Sequence, residues 1–293
     1  MLAELATTYD SIEKRFALAS EVLGFDLWAM AQNGPNEDLS ATENTQPVLL
    51  TASYALWEIW QAEAPAPAFV AGHSLGEYSA LCCADAIDFV DAVALVRKRG
   101  QLMEAAVPRG QGAMAAIMGL EDDQVASICD AVNGVVVAAN FNAPGQVVIA
   151  GAAAAVDAAA TALKDAGAKR AVMLDVSGPF HSPLMAAAKD EFALALEAVT
   201  WRQPSIPVVQ NVDAKVATDL AEVKDKLLQQ LAAPVLWSGC VQEMVSQGVD
   251  LFVECGPGAV LSGLNRRIAK QTTTQGTAKP ESLAATIEAT SAA

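Results

Sequence analysis

In Ala68-Phe69-Val70-Ala71-Gly72-His73-Ser74-Leu75-Gly76, a short apolar run leads directly into a glycine-serine turn. Residues 68–71 have the pattern of a buried strand, and a helix is expected from about Glu77. A serine between two glycines in a strand-to-helix turn is typical of a nucleophile elbow. An ordinary strand-to-helix turn is the alternative, because the five-residue pattern alone is common.

An elbow at this position would give Ser74 a chemical role. The turn would project its hydroxyl, while the N-terminus of the following helix favours developing negative charge. The backbone N–H of Leu75 can then donate to the oxyanion of a tetrahedral intermediate. The sequence therefore predicts Ser74 as a nucleophile and Leu75 as an oxyanion donor.

A serine nucleophile needs a base, and the chain has only two histidines, His73 and His181. On a tight turn the side chains of neighbours diverge, which leaves His181 as the candidate base rather than His73. His181 lies in a loop just before the expected helix cap at Ser182. The alternative is a histidine that only packs at the helix entrance. The group that orients the histidine stays open between a backbone carbonyl and four acidic residues, Asp175, Asp213, Asp250 and Glu254.

Arg99 is the clue to the substrate. In the helix predicted over Phe89–Ala105, it shares a face with an apolar stripe that includes Val96 and Met103. An unpaired guanidinium on an inward face would be costly. One interpretation is a structural salt bridge. The other is a bidentate clamp for a substrate carboxylate, which would select a diacid acyl group.

The chain is predicted to be an α/β protein with two domains. Strand and helix patterns in the middle follow the order β-α-β-β-α-β of a ferredoxin-like unit, so residues 107–184 are expected to form an inserted small domain. Residues 1–106 and 185–270 are expected to form a large, α/β-hydrolase-like domain with a short parallel sheet. The tail from 271 to 293 is rich in Thr, Ala and Ser and is expected to be disordered.

Composition limits the function further. A net charge of −16 makes the chain a poor general binder of nucleic acid. Because no run approaches 18 uninterrupted apolar residues, no membrane span is expected. The five cysteines lack metal or redox spacing, and with no secretory signal they suit reduced thiols. We therefore expect a cytoplasmic protein without a metal site.

Jointly these residues make the chain resemble the malonyl-CoA:acyl carrier protein transacylases of fatty acid synthesis, over about residues 1–268. The matching segments are Gly72-His73-Ser74-Leu75-Gly76-Glu77-Tyr78-Ser79-Ala80, Arg97-Lys98-Arg99-Gly100, Gly112-Ala113-Met114-Ala115-Ala116, Asn140-Phe141-Asn142-Ala143-Pro144-Gly145-Gln146, Phe180-His181-Ser182-Pro183-Leu184-Met185 and Gly256-Pro257-Gly258.

The resemblance implies a two-step exchange without a cofactor, in which malonyl-CoA is a substrate. Ser74 would take the malonyl group from coenzyme A, and the phosphopantetheine thiol of acyl carrier protein would then receive it. His181 would move the proton in each step, and Arg99 would hold the malonyl carboxylate. By the same resemblance, the main-chain carbonyl of Gln230 would orient the histidine, and Gln146 would line the entrance to the site.

One departure from the family lies at the start of the chain. The family begins with a short apolar strand and a Gly-Gln-Gly-Ser-Gln loop, whose glutamine gives a second oxyanion N–H. This chain starts at Met1-Leu2-Ala3-Glu4-Leu5. We expect the strand and loop to be missing, and losing one oxyanion donor typically costs about 100- to 1,000-fold in rate.

Two other functions stay open. A serine thioesterase or esterase would share the nucleophile and base but would not need the inward Arg99. A truncated, inactive relative would still bind carrier protein without forming an acyl-serine. Carrier proteins are acidic, so docking on this acidic chain would need a local basic patch. The candidates are Lys169-Arg170 and Arg266-Arg267-Lys270.

Overall fold

The computed structural model describes residues 1–291 of the chain. Its helices are α1 (Ala3–Ala6), α2 (Ser11–Leu23), α3 (Leu27–Asn33), α4 (Asn36–Ser40), α5 (Thr42–Gln61), α6 (Leu75–Cys83), α7 (Phe89–Ala105), α8 (Asp122–Ala131), α9 (Ala153–Asp165), α10 (Lys189–Glu197), α11 (Leu220–Gln230), α12 (Trp237–Ser246), α13 (Val260–Ile268) and α14 (Pro280–Ser291), and a 3₁₀ helix covers Pro183–Ala188. Its strands are β1 (Val70–Ala71), β2 (Gly112–Met118), β3 (Val136–Ala143), β4 (Gln146–Ala152), β5 (Arg170–Met173), β6 (Val208–Gln210), β7 (Lys215–Val216), β8 (Leu251–Glu254) and β9 (Thr273–Gly276). In this described part of the chain, no helix is long and apolar enough to cross a membrane.

The described chain divides into two compact units. The first contains residues 1–100, 199–209 and the chain from Met244 onward, and the second contains Gln101–Ala198 and Gln210–Glu243. The second unit extends beyond the expected insertion of 107–184 and includes Gln210–Glu243. Within that segment, the chain after α11 pairs with strand β3. Phe141 N–H donates to the Val235 carbonyl at 2.9 Å, and Val235 N–H donates to the Ala139 carbonyl at 2.9 Å. A local sequence pattern does not reveal such long-range pairing.

The second unit is built on one antiparallel sheet with strand order β3-β4-β2-β5. With α8 and α9 between its strands in the chain, this is the ferredoxin-like order that the sequence predicts. The register places Met114 opposite Ala150 and Ile117 opposite Val147. The sheet and both helices share one hydrophobic core, whose fully buried members include Ala115, Ile117, Val147, Ile149, Val156, Ala159 and Leu163.

The first unit has short parallel strand pairs, in agreement with the predicted fold class. β1 pairs with β6, with Val70 opposite Val208. β8 pairs with β9, with Leu251 opposite Thr273. Helix α5 packs against α2 and α6, and it buries apolar side chains on more than one side, including Val48, Leu50, Ala52, Ala55 and Leu56.

Helix α5 begins at Thr42 and continues through Pro47. A proline inside a helix has no N–H to donate to the carbonyl four residues earlier, which here is that of Glu43. Arg97 supplies the missing donor, because its Nη1 lies 3.0 Å from that carbonyl oxygen. Arg97 also forms an ion pair with the Glu43 carboxylate at 3.0 Å, so a distant side chain allows the helix to continue through Pro47.

The predicted disorder of the tail is wrong for residues 271–291. Strand β9 pairs with β8, and α14 buries Leu283 completely. Two side-chain hydrogen bonds hold the helix: Thr286 Oγ1 donates to the Gly276 carbonyl at 2.9 Å, and Trp60 Nε1 donates to Thr290 Oγ1 at 3.1 Å. The polar composition suggested disorder, but these tertiary contacts order the segment. Residues 292 and 293 lie outside the described residues.

Candidate active site

The backbone around Ser74 forms the tight strand-to-helix turn that the sequence predicts. Helix α6 begins at Leu75, and the Ser74 carbonyl accepts from Glu77 N–H at 3.1 Å. A Cβ atom on Gly72 would lie 1.9 Å from the backbone carbonyl of Gly76, so only glycine fits at 72. A Cβ on Gly76 would meet nothing within 4 Å among the described residues. The turn therefore depends on one of its two glycines.

Ser74 and His181 both have strained backbones. Within residues 1–291, the non-glycine residues with positive φ are Leu2, Ser74, Asp85, His181 and Ala214. The φ angle is 52° at Ser74 and 61° at His181. Each such residue costs on the order of 1–3 kcal/mol, and such strain concentrates at functional sites. The two residues that the sequence selects for chemistry are thus both in this small set.

Arg99 lies beside the Ser74 hydroxyl in the first unit. Its side chain is buried, with 1% exposure. Nη2 donates to Ser74 Oγ at 3.1 Å, and Nη1 donates to Gln46 Oε1 at 2.8 Å. Burial lowers the pKa of Arg99, although the neighbouring Tyr78 and Glu77 partly oppose this change. A guanidinium stays charged at every ordinary pH, so a fixed positive charge adjoins the hydroxyl.

Gln46 and Tyr78 complete this group, and sequence reasoning missed both. The Arg99 guanidinium carbon lies 5.1 Å from the centre of the Tyr78 ring, a cation–π distance. Burial raises the pKa of Tyr78 above its ordinary value, so the ring stays neutral. Tyr78 is four residues after Ser74, and that helical spacing is a usable signal. Gln46 is 53 residues from Arg99 and has no such local signal.

His181 is buried in the second unit, with 3% exposure, and its Nδ1 atom lies 2.8 Å from the Gln230 carbonyl oxygen. Gln230 is the last residue of α11. The final carbonyls of a helix lack intrahelical donors and carry partial negative charge. We assign the proton to Nδ1, since a carbonyl can only accept. Nε2 is then unprotonated and able to take a proton.

Three contacts fix the loop that carries His181. The Pro179 ring packs directly on Gly112: a Cβ atom on Gly112 would lie only 2.3 Å from Pro179 Cδ. Ser182 Oγ donates to the Pro179 carbonyl at 2.6 Å. Phe180 packs against a small buried cluster on the sheet, formed by Met114, Ala139, Val148 and Ala150. The sheet therefore holds His181 in its strained conformation.

The other predicted site residues have identifiable positions. Leu75 is the first residue of α6, so its N–H lies in the first helical turn. Gln146 is the first residue of β4, opposite Met118 and Ala143. Of the acidic alternatives, Glu254 accepts from Leu261 N–H and Ser262 N–H, at 3.0 and 2.7 Å. Its carboxylate thus satisfies donors at the start of α13.

The described part of the chain contains no group of three or more His, Cys, Asp or Glu side chains that is arranged to hold a metal ion. Contacts join Ser74 to Arg99 in the first unit and His181 to Gln230 in the second. An α/β fold with a strained serine at a strand-to-helix turn has the architecture of a nucleophile elbow, the class of site found in α/β-hydrolases.

Comparison with known proteins identifies the family of the chain. The sequence profile described as "Acyl transferase domain" matches residues 3–289, and the chain belongs to that family. The malonyl CoA-acyl carrier protein transacylase of Escherichia coli (strain K12) is 52% identical over 291 residues, which cover 98% of this chain and 94% of the relative. That of Bacillus subtilis (strain 168) is 42% identical over 288 residues, which cover 97% and 91%.

Solved structures agree with this family membership. Malonyl-CoA:acyl carrier protein transacylase from Xanthomonas oryzae pv. oryzae has a TM-score of 0.96 and 50% identity, covering 99% of this chain and 93% of that chain. A malonyl-transacylase in complex with its type II PKS acyl-carrier protein has a TM-score of 0.97 and 47% identity, covering 99% and 94%. These values confirm the predicted family and fold class.

Proposed function

We propose that this chain transfers the malonyl group of malonyl-CoA to the phosphopantetheine thiol of acyl carrier protein, through a malonyl-Ser74 intermediate, in fatty acid synthesis. The observation that carries the proposal is the 3.1 Å contact between Arg99 Nη2 and Ser74 Oγ. A buried guanidinium at the nucleophile favours an acyl group that ends in a carboxylate. The names of the relatives, and the complex of one of them with a carrier protein, support the same donor and acceptor.

In the first step, Ser74 Oγ attacks the thioester carbon of malonyl-CoA. His181 Nε2 takes the hydroxyl proton, and the Leu75 N–H stabilises the oxyanion. The carbon–sulfur bond then breaks, and the coenzyme A thiolate leaves with the proton from His181. The malonyl group remains on Ser74 as an ester.

Arg99 would bind the malonyl carboxylate through two parallel N–H···O bonds. Gln46 holds one side of the guanidinium at 2.8 Å, and Tyr78 lies against its face. A guanidinium placed in advance loses little freedom when it binds a substrate. Gln146 is assigned to the entrance of the site.

The second step reverses the chemistry with a different thiol. The phosphopantetheine thiol gives its proton to His181 and attacks the ester carbon of malonyl-Ser74. Ser74 Oγ leaves and recovers the proton, so atoms and charges balance without a cofactor. The five free thiols of the chain suit a reducing compartment, and we place the enzyme in the cytoplasm.

The test of the intermediate is an intact-mass measurement on the purified chain mixed with malonyl-CoA. We expect one malonyl adduct, located on Ser74 by peptide mapping and absent from Ser74→Ala. As a matched control, Ser79→Ala changes another serine of α6 and should keep the adduct. A folded wild-type chain that binds carrier protein but forms no adduct would instead support an inactive binding protein.

A further inference from the structure

Lys226 is a buried lysine that the proposed chemistry does not use. Its side chain is 6% exposed and forms ion pairs with Asp213 at 3.0 Å and Glu222 at 2.8 Å. The two carboxylates are more open to solvent, at 38% and 35% exposure. A buried ammonium is costly unless it is paired, so this cluster has a defined geometry.

The cluster connects α11 to the turn over residues 211–214. Lys226 and Gln230 are four residues apart and share one face of the helix. Gln230 Nε2 donates to Asn211 Oδ1 at 3.3 Å, while Lys226 pairs with Asp213 of the same turn. The turn therefore holds α11 at two points, one helical turn apart.

Both ends of this connection are fixed. The Asn211 carbonyl accepts from Leu236 N–H at 2.9 Å, and Asp213 Oδ1 accepts from Lys215 N–H at 3.2 Å. At the start of α11, Glu222 Oε2 accepts from Thr218 N–H at 2.6 Å. Lys226 thus links the start of the helix to the turn that contacts its end.

Both charges of the Lys226–Glu222 pair persist over the working pH range. The hydrogen bond from Lys226 lowers the pKa of Glu222 to about 2, with further help from Thr218. Burial alone would lower the pKa of Lys226, but Glu222 and Asp213 together raise it. The connection is therefore not a pH switch near neutrality.

We propose that Lys226 is a positioning residue for His181: it fixes α11 where the Gln230 carbonyl accepts from His181 Nδ1, at 2.8 Å. The proposal rests on the proposed function, since it assumes that His181 is the base. A displacement of about 1 Å at a catalytic group can cost roughly 100-fold in rate. A buried, ion-paired lysine four residues before Gln230 is thus well placed to affect the chemical step.

The test measures the rate of malonyl-Ser74 formation and the KM for malonyl-CoA. Lys226→Met keeps the length of the side chain and should lower the acylation rate at saturation about 10-fold, with KM unchanged. Lys226→Arg should restore most of the rate. The matched control is Lys224→Met, which removes another ion-paired lysine of α11, 2.6 Å from Glu197, and should stay within about twofold of wild type.

His181→Ala separates this inference from the proposed function. If His181→Ala alone does not slow acylation, His181 is not the base, and both proposals fail. If it does, Lys226→Met should have no further effect in the His181→Ala background. An equal loss in both backgrounds, or a folded Lys226→Met with the wild-type rate, would overturn the role of Lys226. If Lys226→Met does not fold, Asp213→Asn replaces it with the same expectations.

Discussion

The Nη2 atom of Arg99 lies 3.1 Å from the Oγ atom of Ser74, so a buried cation touches the hydroxyl that we assign as the nucleophile. In a simple hydrolase elbow, the serine hydroxyl needs only a base and an oxyanion site. A guanidinium there adds a recognition element within reach of the acyl chain on Ser74. The group that would select the substrate, Arg99, is therefore in direct contact with the group that would attack it, Ser74.

Removing the guanidinium should change which acyl group is accepted. Arg99→Ala is expected to slow acylation by malonyl-CoA by about 10- to 150-fold, since a hydrogen bond to a charged group contributes about 1.5–3 kcal/mol. Acylation by acetyl-CoA, which has no carboxylate, should fall much less. Intact masses recorded at fixed times after mixing with each thioester give the ratio of the malonyl to the acetyl acylation rate. Arg202→Ala is the control, because it removes an exposed arginine that pairs with Asp88 at 2.8 Å. An unchanged malonyl-to-acetyl ratio in Arg99→Ala would show that Arg99 is structural.

Gln46 should matter because it holds Arg99. Gln46→Met keeps the volume but removes the acceptor 2.8 Å from Nη1. We expect malonyl acylation to slow by about fivefold, corresponding to roughly 1 kcal/mol for one hydrogen bond, with acetyl acylation unaffected. Gln61→Met changes another glutamine of α5 and should leave both rates unchanged. Equal slowing with both thioesters would argue against a role in carboxylate binding.

The two elbow glycines should differ in their effect on stability. Gly72→Ala puts a Cβ 1.9 Å from the Gly76 backbone, and we expect a loss of about 3 kcal/mol or more. Gly76→Ala meets open space and lies in α6, where alanine is favoured over glycine by about 0.5–1 kcal/mol. Chemical denaturation of both variants measures the difference. A Gly72→Ala protein as stable as wild type would contradict the close approach.

The ordered C-terminal segment makes its own prediction. Leu283 of α14 is fully buried, so Leu283→Ala should destabilise the protein by about 2–5 kcal/mol. Leu194→Ala removes a leucine that is 73% exposed and should change stability by less than about 0.5 kcal/mol. Thermal unfolding compares the pair. Equal melting temperatures for Leu283→Ala and Leu194→Ala would show that α14 is not packed on the protein, as expected for a disordered tail.

Glu222 should make stability depend on pH in the acid range. Its pKa in the folded protein is about 2, lowered by Lys226 and Thr218, whereas an unperturbed glutamate titrates near about 4.3. A lowered pKa gives stability that is fully present above the unfolded value and is lost as pH falls through the folded value. The difference in melting temperature between wild type and Glu222→Gln should therefore be constant above about pH 5 and shrink toward pH 2. A difference that does not vary with pH would rule out this contribution.

Much of the fold follows from local sequence patterns. Helix α7 has the predicted bounds, and the β-α-β-β-α-β order gives the sheet of the second unit. These elements depend on contacts that recur at helix or strand spacing, so the sequence reveals them. The continuation of α5 through Pro47 depends on Arg97, which lies 54 residues from Glu43. The ordered tail likewise depends on contacts that no short window contains.

In the site, too, local patterns predict some residues, while others depend on long-range contacts. Ser74 and Arg99 were predicted from a turn motif and from a helical face, and they are in contact. Gln46 was missed because nothing in its neighbourhood marks it. The four acidic candidates for orienting the histidine could be identified from their side chains. The group that contacts His181 is instead the main-chain carbonyl of Gln230, which no residue type marks. Only the resemblance to the family suggested that carbonyl, since every residue has one.

Isolated malonyl-enzyme allows the transfer to carrier protein to be observed by itself. Malonyl-enzyme freed of coenzyme A would be mixed with acyl carrier protein bearing its phosphopantetheine arm, and both intact masses would be followed over time. We expect the malonyl mass to leave the enzyme and to appear on the carrier protein, far faster than the adduct decays in buffer alone. Loss of the adduct to free malonate at the same rate with and without carrier protein would identify a thioesterase instead of a transacylase.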